Sequence, residues 1–176
     1  MKRSTRTIFI VGCVTLGLVT ILFLTKKIWI ERLIETTAMH YQHLPGDIDT
    51  VEVFTLEASP NGNTDGFAGD FDSPVETVGH KTLTGSDAQK ITNLWRQFPT
   101  GRKFQALCFE PAYGLEFKRK GKIYLQTSVC WRCAAFSFPF PIFGTVQYGF
   151  DAKSSSAQEL LKTLEDYLPL PPEKNK

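Results

Sequence analysis

The chain has 176 residues, 42% of them hydrophobic and 22% charged, with four cysteines and a formal net charge of +2. That is room for one ordinary domain plus an attached segment, and the composition excludes collagen-like and disordered polymers. The charge is unevenly spread: Lys2, Arg3, Arg6, Lys26 and Lys27 are five of the 20 basic residues, and all 18 acidic residues come later, leaving the remainder at −3. A mildly acidic domain is a poor nucleic-acid binder, so no nucleic-acid partner is expected.

From Thr7 to Thr25 the chain runs 19 residues without a charge. As a helix this is roughly 28 Å long, close to the ~30 Å hydrocarbon core of a bilayer. A cleaved signal peptide would have a shorter apolar run and small residues before the cut, which "FLTKKIW" lacks. Cys13 in "IVGC" suggests a lipoprotein signal, but the apolar run continues past it. The expectation is an uncleaved signal anchor over 1–27, with the membrane as partner through 7–25. The basic residues on its N-terminal side favour a cytoplasmic N-terminus and an extracytoplasmic domain at the cell membrane, on the periplasmic or extracellular side.

Residues 28–46 place Ile30, Leu33, Ile34, Thr37, Ala38 and Tyr41 at helical spacing, ended by Pro45 and Gly46. This predicts a juxtamembrane amphipathic helix with Trp29 at the interface. His40 and His43 fall in its last turn, where such residues suit a helix C-terminus.

"TVEVFTLEA", Thr50 to Ala58, alternates Val51 and Val53 against Glu52 and Phe54 and predicts a strand. The turn-rich loop after it spaces Asn61, Asn63, Asp65, Gly66 and Asp72 partly like a calcium loop. The Asn at position 1, the short Asp at position 12 and the preceding strand argue for a solvated turn.

"SDAQKITNLWRQF" and "SSAQELLKTLEDYL" both open S-x-A-Q, the pattern of a capping box with Ser86 or Ser155 at the cap. Ile91, Leu94, Trp95 and Phe98 make one apolar stripe; Leu160, Leu161, Leu164 and Leu168 make the other. Each follows a candidate strand, "VETVGHKTLT" or "TVQYGFDA".

Between them, "KFQALCFE", "YGLEFK" and "KIYLQTSVCW" read as further strands. A hairpin loop at Arg119, Lys120 and Gly121 would pair Phe117 with Ile123, Leu115 with Leu125 and Tyr113 with Thr127, putting apolar side chains on one face. The basic residues there are then a hairpin tip. In "AAFSFPFPIFG", Pro139 and Pro141 argue against a central strand. The segment reads as an edge packing Phe136, Phe138 and Phe140 into the core, or as an aromatic wedge offering Phe136–Phe143 to a protein partner.

Three cysteines carry the chemical interest. The hairpin register sets Cys130 opposite Glu110, with Cys108 one diagonal step away on the same face. A diagonal spacing of ~7–8 Å is marginal for a disulfide and needs local bending. Outside the cytoplasm the expected arrangement is a bond from Cys108 to Cys130 or to Cys133. Alternatives are a C-x-x-C redox centre at Cys130 and Cys133, a zinc site of Cys108, Cys130, Cys133 and His80, and inert buried thiols. A redox centre would ordinarily open a helix, whereas here the pair ends a strand.

"CFEPAYGLEF" followed by "SVCWRC" resembles a set of small uncharacterised bacterial proteins, membrane-anchored or exported. These carry C-x-x-P-x-[HY]-G-x-x-F, a basic or Gly-containing turn, and C-[FW]-x-C. The likeness covers Leu107 to Cys133. It implies no activity; and where members have His, this chain has Tyr113, a poor zinc ligand.

There is no G-x-S-x-G, H-E-x-x-H, phosphate-cradling glycine loop or dinucleotide fingerprint. The expected architecture is therefore α+β: an N-terminal transmembrane helix, then a mostly antiparallel sheet over 47–170 with two helices on one face, and a disordered tail over 171–176. The expected function is a membrane-anchored binding or interaction domain with no catalytic residues and no cofactor; the alternative is a thiol-based redox or zinc site at Cys108, Cys130 and Cys133.

Overall fold

The computed structural model describes residues 26, 28–59, 67, 75–98, 109–140 and 144–171. The chain divides into two compact units, Met1–Thr36 and Thr37–Lys176. The expected span at 7–25, the calcium-like loop apart from Phe67, and Cys108 all lie outside the described residues. So does the expected tail beyond residue 171. Among the described residues, no helix is long and apolar enough to cross a membrane.

A helix over 28–42 (α1) is followed by Pro45 and Gly46, as the sequence predicts. Six strands follow among the described residues: β1 (Thr50–Ala58), β2 (Val75–Thr84), β3 (Tyr113–Arg119), β4 (Lys122–Cys130), β5 (Ala135–Phe140) and β6 (Gly144–Gly149). Helix α2 (Gly85–Arg96) follows β2, and α3 (Ser155–Tyr167) follows β6. All strands pair antiparallel in one sheet of order β2-β1-β3-β4-β5-β6. The α+β architecture stands as expected.

One face of the sheet forms the core with the helices. Val51, Val53, Tyr113, Leu115, Phe117, Leu125, Val129 and Phe136 are all buried, and the pairings Val51↔Phe117, Phe117↔Leu125 and Val129↔Phe136 put them on one side. Trp95 of α2 lies 5.4 Å from the rings of both Phe117 and Phe136. From α3, the Ala157 carbonyl accepts from the Trp131 indole at 3.3 Å. Burying Trp95, Ile91, Leu160 and Leu164 is worth about 1.5–3 kcal/mol per side chain.

Three expectations fail locally. The β3–β4 hairpin closes through a two-residue turn at Lys120 and Gly121, with φ of 52° and 72°, not through a three-residue loop. Phe117 therefore faces Leu125 and Leu115 faces Thr127; a bulge between Phe117 and Lys118 sets Ile123 opposite Lys118 and leaves it 53% exposed.

Neither helix is capped as a capping box. Thr84 caps α2 without a side-chain bond, whereas Ser154, one residue before the expected cap, accepts from the Ala157 amide of α3. The two glutamines donate instead to carbonyls outside their helices, Gln89 to Ile48 and Gln158 to Ala152.

Finally, β5 is an interior strand despite Pro139. Its ladder to β4 covers only Val129↔Phe136 and Cys130↔Ala135, so the proline lies beyond the stretch where an N–H would be needed on that side.

Candidate thiol–disulfide site

Strand β4 ends at Cys130, whose neighbours on either side are Ala112 of the incoming chain and Ala135 of β5. Ala112 donates to the Val129 carbonyl at 3.1 Å, and Cys130 pairs with Ala135. The turn 131–134 must therefore reverse the chain in four residues. It does so with Ala134 at φ 50° and an Ala134 amide bond to the Trp131 carbonyl at 3.2 Å. A reversal this tight brings the Cys130 and Cys133 Cα atoms to 5.3 Å and sets their sulfurs at disulfide distance.

The bulge and the two-residue turn place Ala112, not Glu110, beside Cys130. Cys108, the expected partner of Cys130 or Cys133, lies outside the described residues.

The two sulfurs have different surroundings. Cys130 is 1% exposed and packs with Phe109 and Ala135, while Cys133 is half-buried at the rim of that cluster. The Cys133 amide donates to Cys130 Sγ at 3.1 Å. Such a bond favours charge on Cys130 when the bridge opens, and apolar burial opposes it. Between the cysteines, Trp131 points into the core, 6.1 Å from the Tyr113 ring and 6.0 Å from Phe150, while Arg132 is 84% exposed along its side chain. Arg132 meets the exposed Glu110 at 3.5 Å.

Tyr113, at the position where the resembling proteins carry His, is fully buried on the core face and donates its hydroxyl to the Leu168 carbonyl at 2.9 Å. Burial holds its phenol well above the ordinary tyrosine range. It is a structural tie to the end of α3.

His80 sits on β2, stacked on Phe54 with ring centroids 4.7 Å apart and 3.7 Å from Glu52. The strand order puts β1 and β3 between it and β4, roughly 14 Å at ordinary strand spacing. It therefore does not join the cysteines as a zinc ligand, which would need bonds of about 2.0–2.3 Å. Among the described residues no group of His, Cys, Asp or Glu is arranged to hold a metal.

Two of the hairpin-tip cations are engaged within the chain. Arg119 pairs with Asp47 at 2.7 Å, and Lys118 bridges Glu52 at 2.8 Å and Glu116 at 3.3 Å. Phe136, Phe138 and Phe140 are at most 2% exposed and pack into the core, while the rest of the expected Phe136–Phe143 partner segment, residues 141–143, lies outside the described residues.

The sequence singles out Cys130 and Cys133, and the structure sets the two at disulfide distance from each other. The available signal was the spacing itself, since C-x-x-C at the mouth of a β-hairpin reversal needs no distant partner. No family model, curated protein or solved structure matches the chain.

Proposed function

We propose that this chain is a membrane-tethered, extracytoplasmic domain that exchanges disulfides with thiol substrates through Cys130 and Cys133. The observation that carries the reading is the Cys130–Cys133 bond, with one sulfur in the apolar cluster and the other at its rim.

The size of the ring favours chemistry over stapling. In the chain-entropy estimate a four-residue ring contributes about 2 kcal/mol, against about 3.4 kcal/mol for the 23-residue loop from Cys108 to Cys130. A bridge that stabilises so little is poorly explained as a staple.

In the forward step a substrate thiolate attacks Cys133 Sγ, the S–S bond breaks, and Cys130 leaves as the thiolate facing the Cys133 amide. A second substrate thiolate attacks the mixed disulfide, releasing oxidised substrate. The two electrons end on the cysteine pair, with the two protons the substrate gave up. Run in reverse, the dithiol reduces a substrate disulfide.

The tether rests on the uncharged stretch 7–25 and on apolar residues exposed on the first unit's part of α1: Ile28 at 53%, Trp29 at 76% and Leu33 at 44%.

The test is a redox titration of the purified full chain in thiol buffers, read by alkylation of Cys130 and Cys133. The expected midpoint is more oxidising than about −300 mV, the side on which labile and catalytic disulfides fall. A pair that stays oxidised to more reducing potentials sinks the exchange reading. The chain would then be read as a membrane-surface binding module, which the exposed Ile28, Trp29 and Leu33 favour.

A further inference from the structure

We infer that Arg132 makes the Cys130–Cys133 pair selective for thiols that carry a carboxylate beside the sulfur. The inference rests on the exchange reading above and deepens it by naming the substrate class.

The geometry is specific. Arg132 lies between the two cysteines, so its guanidinium stays within one side-chain length of the bridge. It is 84% exposed, and the contact recorded for it is Glu110 at 3.5 Å, itself 66% exposed. A pair so open to water holds the arginine weakly. Phe109, next to Glu110, packs against the same disulfide. The 109–110 segment thus supplies an apolar neighbour to the sulfurs in Phe109 and a carboxylate to Arg132 in Glu110.

An incoming carboxylate competes with Glu110 for the guanidinium, as a bidentate partner if it can reach. The step itself is unchanged: thiolate attacks Cys133, the S–S bond breaks, and Cys130 takes the electron pair. The carboxylate contributes only to encounter and orientation. It can belong to a low-mass thiol or to a residue flanking a cysteine in a polypeptide.

The test measures rates of reduction of the oxidised full chain at low salt, corrected to thiolate concentration, with 3-mercaptopropionate, 2-mercaptoethanol and cysteamine. A second arm uses two short peptides with one cysteine flanked by Glu or by Lys. The expected preference for negative over positive charge is about fivefold, shrinking towards one near ~0.5 M salt. Arg132→Gln should abolish it, and Glu110→Gln should enlarge it; both sites are exposed, so folding is not at stake.

A preference confined to the small thiols assigns a low-mass substrate, and one confined to the peptides assigns a polypeptide. Equal rates for all charges, or a preference that survives Arg132→Gln, overturn the selectivity and leave exchange standing. If no thiol reduces the pair, exchange and selectivity fall together.

Discussion

Lys120 holds φ 52° in the first position of a two-residue turn, with Gly121 at 72° after it. That conformation is native to Asn and Gly and costs a lysine roughly 1 kcal/mol. Lys120→Asn should therefore stabilise the domain by about 0.5–1 kcal/mol, read as a higher urea midpoint with unchanged slope. An unchanged or lower midpoint would mean that the turn is not of this type. Gly114 is fixed for another reason, because a Cβ there would sit 2.7 Å from the Phe67 ring. Gly114→Ala should cost about 1–3 kcal/mol by overpacking. The matching control, Phe67→Leu combined with Gly114→Ala, should recover part of it.

Lys118 shows what one residue does to a sheet face. Glu52 and Glu116 stand directly opposite each other on β1 and β3, an arrangement that like charges disfavour, and the Lys118 ammonium bridges them. Its pKa is held above the ordinary lysine value, first by the bond to Glu52. The sign follows: the contribution is fully present below about 10.4, the unfolded value, and is lost as pH rises through the higher folded value. Lys118→Met should lower stability at neutral pH by about 1 kcal/mol, modestly because the group is partly exposed. A wild-type stability that falls between pH 7 and 9, before this lysine titrates, would assign the loss to another group.

Among elements, α2 with the Phe98 that follows it is tied to residues 41–48, the end of α1 and the segment after it, by side chains reaching across to main chain. Trp95 donates to the Tyr41 carbonyl at 3.0 Å, Arg96 to the Leu44 carbonyl at 2.8 Å, Gln89 to Ile48, and Gln42 back to the Phe98 carbonyl. Arg96→Ala should cost about 1–2 kcal/mol and speed hydrogen exchange over 41–48. Loss of stability with no change in exchange there would separate the arginine from the tie.

The same scale shows what the sequence could reveal. Strand β1 has the predicted bounds because alternation marks a half-buried strand by itself, and β2 covers the candidate strand before α2 although Val75, Val78 and Leu83 do not alternate. The β3–β4 register was not legible, since a bulge inserts one residue without changing composition, and Ile123 looks like core until its partner is known. Strand β5 was obscured by Pro139, a real obstacle to pairing that the short ladder to β4 avoids. The expected Cys108 bridge rested on the hairpin register, and Cys108 lies outside the described residues; the closeness of Cys130 to Cys133 comes from the four-residue reversal after β4.

At the scale of the whole molecule, a six-stranded antiparallel sheet has a tight reversal between β4 and β5, which on the proposed reading is where exchange takes place. Reducing Cys130–Cys133 should lower stability by no more than about 2 kcal/mol and leave far-UV circular dichroism unchanged. On the proposed reading the uncharged stretch 7–25 anchors the chain in a membrane, and a reporter fused at the C-terminus should prove extracytoplasmic. The most direct measurement is mass spectrometry of the full chain, alkylated without reduction and cut with trypsin. Trypsin cleaves after Arg132, inside the ring, so the predicted bond yields two peptides joined through Cys130 and Cys133, with Cys108 carrying the alkyl group. A crosslink from Cys108 to either cysteine would contradict the site.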